Sequence, residues 1–214
     1  MTKSFHTYDS IIFDLDGTLW DSSASVALAW QTAIDQVDFL DIQLTPERIR
    51  SVTGMTYDAI FDTLFPELTT EQRGQMRTLC AASELNILYT QGGETYPDLE
   101  ETLKTLGAKY KLFIVSNCQK GYIELFLDLN QLHSYFQGHQ CFGTKGKPKE
   151  DNIKDVVNDY SLKMPVYIGD TMGDYQAAIK AGVPFIFADY GFGKVSSGMV
   201  ETISNLKDLQ DLLI

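Results

Sequence analysis

The segment Ile11-Ile12-Phe13-Asp14-Leu15-Asp16-Gly17-Thr18-Leu19 constrains this chain more than any other, because an apolar run stops abruptly at two aspartates spaced two apart. A short apolar run closed by glycine reads as a strand buried on both faces, the pattern of a parallel sheet. Side chains two apart on extended backbone point the same way, so both carboxylates leave the strand end together. Two like charges at a dry strand end need a cation or a transferred proton to offset them, which predicts a metal, acid/base work, or both.

Val166-Tyr167-Ile168 repeats the design: a second apolar strand runs straight into Gly169-Asp170-Thr171-Met172-Gly173-Asp174. In an open parallel sheet, ligands bind at the carboxyl ends of the strands, so Asp14, Asp16, Asp170 and Asp174 are expected to converge there. Hard oxygen ligands of this kind suit Mg²⁺ completed by a substrate phosphate. Taken alone, Asp174 reads equally well as the N-cap of the helix after it. A third strand, Leu112 to Val115, ends in Ser116-Asn117 and offers a hydroxyl and an amide to a phosphate oxygen at the same sheet edge. The loop Gly143 to Asn152 holds Lys145, Lys147 and Lys149 in a chain of formal net charge -12, and one inward lysine there would balance the acids and a phosphorylated substrate.

In order, Asp14-x-Asp16-Gly17-Thr18, strand-terminal Ser116, the loop lysine and Gly169-Asp170-x-x-x-Asp174 resemble the four motifs of the haloacid dehalogenase superfamily, over nearly the whole chain. The resemblance implies a Rossmann-like parallel sheet core. It implies an aspartyl-phosphate formed on Asp14, with Asp16 as general acid and then base. Gly17 and Thr18 would shape the turn and, with Ser116 and Asn117, hold the phosphoryl. Mg²⁺ would sit on Asp14, Asp170, Asp174 and the backbone carbonyl of Asp16. Relatives that dehalogenate lack the second aspartate, so its presence implies phosphoryl transfer. The lysine role falls on Lys147, as in Lys-Pro-x-x-Asp, or on Lys149, as in the shorter run of phosphoglycolate phosphatase-like members; both stand, with Lys149 favoured.

No further strand is expected between Phe13 and Lys111, while residues 20–92 read as successive helices. Val26, Trp30, Ala33, Ile34 and Val37 recur at helical spacing, Thr45-Pro46 opens one helix and the capping box Thr69-x-x-Gln72 another. The expected organisation is an α/β core of residues 1–19 and 93–214 interrupted by a helical cap of residues 20–92, with a hinge at Gln91-Gly92-Gly93. By resemblance such a cap excludes water and reads the leaving group, with Trp20, Asp21, Arg50 and Thr53-Gly54-Met55-Thr56 as candidate contacts. From Leu112 onward strands and helices alternate to a last helix from Asn205, the signature of a parallel sheet covered by helices.

Composition bounds the rest. At 214 residues and 44% hydrophobic the chain can bury a sizeable core, and 17 basic against 29 acidic residues argue against a nucleic-acid partner. No apolar run is long enough to span a membrane, and the polar start suggests a cytoplasmic protein without a secretion signal. Cys80, Cys118 and Cys141 are expected as reduced thiols. His6, His133 and His139 lack ligand spacing and are given no chemistry.

The first functional expectation is a Mg²⁺-dependent phosphatase of a small phosphomonoester, phosphoglycolate being the best single guess, acting as a monomer or homodimer. The alternative is a phosphohexose mutase similar to beta-phosphoglucomutase, with sugar replacing water as acceptor. A phospho-accepting signalling receiver uses similar acids, but Asp16 and the helical stretch count against it.

Overall fold

In a computed structural model describing residues 8–214, β1 (Ser10–Phe13) is followed by a two-residue strand β2 (Trp20–Asp21) and then four helices, α1 (Ser23–Ile34), α2 (Pro46–Arg50), α3 (Tyr57–Leu64) and α4 (Thr70–Gln91). Next come β3 (Glu94–Thr95), α5 (Leu99–Gly107), β4 (Lys111–Ser116), α6 (Tyr122–Asn130), β5 (Phe136–Cys141) and α7 (Phe142–Lys145). The chain closes through α8 (Lys149–Asp159), β6 (Pro165–Gly169), α9 (Met172–Ala181), β7 (Phe185–Ala188), β8 (Glu201–Ile203) and α10 (Asp208–Leu213). His6 lies outside the described residues.

The main sheet is parallel, with order β5-β4-β1-β6-β7-β8. Its central strands alternate between two apolar layers. Ile11, Phe13, Leu112, Ile114, Val166 and Ile168 pack on one face, and Ile12, Phe113, Val115 and Tyr167 on the other. Helices cover both faces, so the strands read as continuous apolar runs. β1 sits between β4 and β6, with Phe13 level with Ile114 and Ile168. That register brings Asp14, Ser116 and Asp170 to one edge, where the chain leaves β1 for opposite sides of the sheet, the usual place for a ligand crevice.

Two strand pairings differ from the sequence reading. β2 pairs antiparallel with β3, at the two ends of the helical stretch. β8 extends the sheet beyond β7. Strands of two or three residues carry no periodicity to read, and backbone pairing alone defines them.

Within the helical stretch α1 packs along α4, and Trp30, Tyr57, Phe61 and Phe65 form a chain of aromatic contacts with centroids 5.1 to 5.6 Å apart. The caps form locally: Thr45 accepts from Arg48 N with Pro46 in the first turn, and Thr69 and Gln72 make a reciprocal capping box. Among the described residues no helix is long and apolar enough to cross a membrane.

Candidate active site

Asp14 follows Phe13 directly, so its side chain falls on the face covered by α8 and α9. Lys149, in the first turn of α8, reaches it: Nζ donates to Asp14 Oδ1 at 2.8 Å and to Asp174 Oδ1 at 2.5 Å, and all three side chains are buried. Asp174 is fixed from its other side, where Thr171 donates to Oδ2 from both its backbone N–H and its hydroxyl, while Tyr167 OH, which donates to the Val115 carbonyl at 2.8 Å, lies 3.4 Å from Oδ1. The helix cap is thus Thr171, with Asp174 returning the bond as its third helical residue. Asp170 accepts from Phe192 N at 2.7 Å and from Thr18 Oγ at 3.3 Å.

Asp14, Asp170 and Asp174 each offer a carboxylate oxygen, all within 4.8 Å of one another. One ammonium cannot neutralise three carboxylates. Burial first, and then mutual repulsion with Asp174, push the Asp14 and Asp170 carboxyls above their usual range. Burial also opposes the Lys149 ammonium, yet Asp14 and Asp174 hold it above its ordinary value. The residual negative charge on hard oxygen donors fits a divalent cation. Glycine is required around this cluster: Gly17 has φ +83°, and a Cβ there would run into the Asp170 carboxylate.

Asp16 stands apart from the three. Its Oδ1 accepts from Ser22 Oγ at 2.7 Å and from Tyr122 OH at 2.9 Å. Burial pushes its carboxyl up to about 6 against those two hydrogen bonds, which suits a group that passes a proton near neutral pH. Above the strand ends, Asp14, Asp16, Ser116 and Asn117 line a small cavity closed on its far side by α1, α2–α3 loop residues, α3 and α4. Asn117 Nδ2 donates to the Gly54 carbonyl at 2.8 Å, which ties the helical stretch to the sheet edge.

Other sequence candidates are placed differently. Lys147 points outward to Asp155, at 2.9 Å, because it precedes α8 rather than lying on its inner face. Trp20 does not line the cavity; it is fully buried against Tyr122 and Phe126. Arg50 is held by Asp21, with Nη2 at 2.8 Å, and lies over the Phe192 ring. Thr53, Gly54 and Met55 line the cavity, whereas Thr56 caps α3. Cys118 also lines it, and burial pushes its thiol well above the usual value; all three cysteines are free. His133 pairs with Asp128 at the surface, and His139 lies on β5.

Sequence reasoning missed Ser22, Tyr122 and Tyr167, single hydroxyls that only the fold brings to the aspartates. It also missed Glu84, a buried carboxylate on α4 that accepts from Trp30 Nε1 at 2.6 Å, Gln119 Nε2 at 2.9 Å and Tyr57 OH at 3.3 Å. Gly191-Phe192-Gly193 could have been flagged as a Gly-x-Gly: a Cβ at Gly191 would strike Asp170, and one at Gly193 the backbone beside it.

Comparison with known proteins adds ancestry to this geometry. The family description "Haloacid dehalogenase-like hydrolase" matches residues 11–188. The phosphoglycolate phosphatase of Aquifex aeolicus is 28% identical over 210 residues, covering 95% of each chain. That of Vibrio vulnificus is 30% identical over 199 residues, covering 85% of this chain and 84% of its own. Among solved structures, a haloacid dehalogenase-like hydrolase from Streptococcus pneumoniae superposes with a TM-score of 0.82 at 21% identity, over 95% of this chain and 97% of its own. A hydrolase from Pseudomonas syringae does so with 0.76 at 24%, over 95% and 96%.

Proposed function

The chain belongs to the haloacid dehalogenase-like hydrolases, and from that premise we propose that it hydrolyses a small phosphomonoester in two steps through an aspartyl-phosphate on Asp14. The observation that carries this reading is the arrangement of two aspartates two residues apart in different settings. Asp14 is braced by Lys149 beside Asp170 and Asp174, and Asp16 is turned away toward Ser22 and Tyr122.

Lys149 occupies Asp14 Oδ1, which leaves the second oxygen of Asp14 as nucleophile. That oxygen bonds to phosphorus as the bond from phosphorus to the ester oxygen breaks, and Asp16 gives its proton to the departing alkoxide. Asp16, now a carboxylate, takes a proton from water whose oxygen attacks phosphorus; the bond to Asp14 breaks and inorganic phosphate leaves. Ser22 and Tyr122 hold Asp16 Oδ1 throughout, so its other oxygen carries the proton in both directions. Ser116 and Asn117, which line the same cavity, would bind phosphoryl oxygens. Asp14, Asp170, Asp174 and the Asp16 carbonyl would hold Mg²⁺, which when bound offsets the negative charge of the ester and the carboxylates. The helices of residues 23–91 act as the cap that closes over the ester, with Gly54 against Asn117 as one point of closure. The names of the relatives support water as the phosphoryl acceptor and make 2-phosphoglycolate the first ester to try.

The test is phosphate release from a panel of small phosphomonoesters, with Mg²⁺ and after chelation, followed by acid quench and peptide mass spectrometry. Release that requires the divalent ion, with a phosphoryl group trapped on the peptide holding Asp14, is the expected result. A phosphoryl group found on any other residue would overturn the assignment.

A further inference from the structure

The far side of the cavity, where the helices close over the strand ends, is walled by apolar groups. Val26, Ile49, Val52, Met55 and Ile60 line it, together with Trp30 and Tyr57. Among the described residues that line the cavity there is no lysine, arginine or histidine. Arg50 is held by Asp21 through both Nε and Nη2, and Lys149 is held between Asp14 and Asp174.

The polar side chains on that lining are engaged within the protein. Glu84, which is buried, gathers three of them: Trp30 Nε1 at 2.6 Å and Tyr57 OH at 3.3 Å donate to Oε2, and Gln119 Nε2 at 2.9 Å to Oε1. Gln119 Nε2 donates as well to the Ala81 carbonyl at 3.3 Å, which uses both of its N–H groups. Thr53 Oγ donates to the Ile49 carbonyl at 2.9 Å, Asn117 Nδ2 to the Gly54 carbonyl, and Ser22 and Tyr122 to Asp16. Of the lining hydroxyls this leaves Ser116, at the phosphoryl end. Burial pushes the Glu84 carboxyl above its usual range, which favours its neutral form and keeps ionic charge off the far wall.

Resting on the reading of this site as a phosphomonoesterase, we infer that the leaving group is a short apolar alcohol. Glu84 serves that selection by drawing the polar ends of Trp30, Tyr57 and Gln119 onto itself and away from the ester. A hydroxyl carried against this wall gives up water and meets no free side-chain donor among the described residues there. A carboxylate loses more, because no cation lies along the wall to replace its hydration. A methyl or methylene group gains instead, since it leaves water for apolar contacts. The inference runs against the names of the relatives, whose substrate carries a carboxylate. At 28% and 30% identity, the catalytic frame can be shared while the wall that reads the leaving group differs.

The experiment compares kcat/KM in Mg²⁺ within two pairs of esters matched in size, with para-nitrophenyl phosphate as an undemanding reference. Propyl phosphate is set against glycerol 1-phosphate, from which it differs by two hydroxyls. Isobutyl phosphate is set against 2-phosphoglycolate, with two methyl groups in place of the carboxylate oxygens. The apolar member of each pair should lead by about tenfold or more, the scale on which a site discriminates a polar group left without a partner. In Glu84→Met the indole, phenol and amide lose their shared acceptor and are free to donate into the cavity. The lead of propyl phosphate over glycerol 1-phosphate should then shrink by about threefold or more, whereas a merely structural role for Glu84 would lower both esters alike. A ratio measured on one preparation does not depend on how much of the variant is folded, and if none folds the two pairs on the parent decide alone. Equal or better turnover of either polar member by the parent, an unchanged ratio in Glu84→Met, or aryl ester turnover with all four small esters inert would each overturn the inference while leaving the phosphatase reading standing. No release from any ester, the aryl one included, would overturn both.

Discussion

The sheet side and the helical side of the cavity are built on opposite principles. On the sheet side, four charged groups, Asp14, Asp170, Asp174 and Lys149, are buried within one cluster, and almost every carboxylate oxygen has a donor from a helix start or a loop at the strand ends. On the helical side, aromatic and aliphatic side chains surround a single carboxylate held by neutral donors. The first arrangement is costly to build and works on any phosphoryl group. The second is cheaper to change and acts only on what is attached to it. Chemistry and selection therefore occupy different layers, and substitutions in each should fail differently.

The largest expected effect is that of Asp14→Asn. It keeps the side-chain shape but removes the nucleophile, so kcat should fall by at least about 10³-fold for every ester alike. Thermal unfolding should show no loss of stability, because one of three crowded acids has lost its charge. Phosphate release and a melting curve on the same sample check both halves. A loss confined to some esters would mean that the sheet side also selects.

Lys149→Met comes next. Removing one partner of a buried ion pair strands the other, so stability without divalent ion should fall by about 3–5 kcal/mol in urea unfolding. Mg²⁺ should recover part of the loss by binding only the folded state. A variant as stable as its parent would show that the lysine does not brace the acids.

A smaller effect is expected from Tyr122→Phe, which deletes one of the two donors to Asp16 Oδ1. Stability should drop by about 1 kcal/mol. Turnover of alkyl esters should fall several-fold while para-nitrophenyl phosphate, whose leaving group needs little protonation, is nearly spared. Equal losses on both would reduce Tyr122 to a packing residue.

The sheet side was far more legible in the sequence than the helical side, for a physical reason. A buried parallel strand is a continuous apolar run, and any polar residue that ends it stands out, as Asp14, Ser116 and Asp170 do. The order β5-β4-β1-β6-β7-β8 then brings them to one edge. The helical wall gives no such punctuation. Glu84 sits in a 22-residue helix that also carries Glu71, and nothing local distinguishes the buried acid from the exposed one. Trp20 shows the converse: a large residue beside the motif looked like a substrate contact, yet its size drives it into the core against Tyr122 and Phe126. Short pairings such as β2–β3 fall below what any pattern in two residues can express.

The smallest expected effect belongs to Lys147→Met, and it sharpens the contrast within one loop. The sequence offered Lys147 and Lys149 on similar terms, because both precede the buried Ile153. Where α8 begins decides between them: with Pro148 as its N-cap, Lys149 enters the first turn and shares a helix face with Ile153, four residues on, and Val156. That face looks into the sheet, so Lys149 is carried to Asp14, while Lys147 remains outside and pairs with Asp155 at the surface. Exposed pairs of this kind contribute little, so Lys147→Met should change stability by about 0.5 kcal/mol or less and kcat/KM by less than about twofold. Urea unfolding and phosphate release on the two lysine variants side by side give the check. If Lys147→Met were as damaging as Lys149→Met, α8 would have to start two residues earlier in the working enzyme, and the ion pairs that define the sheet side would need to be drawn again.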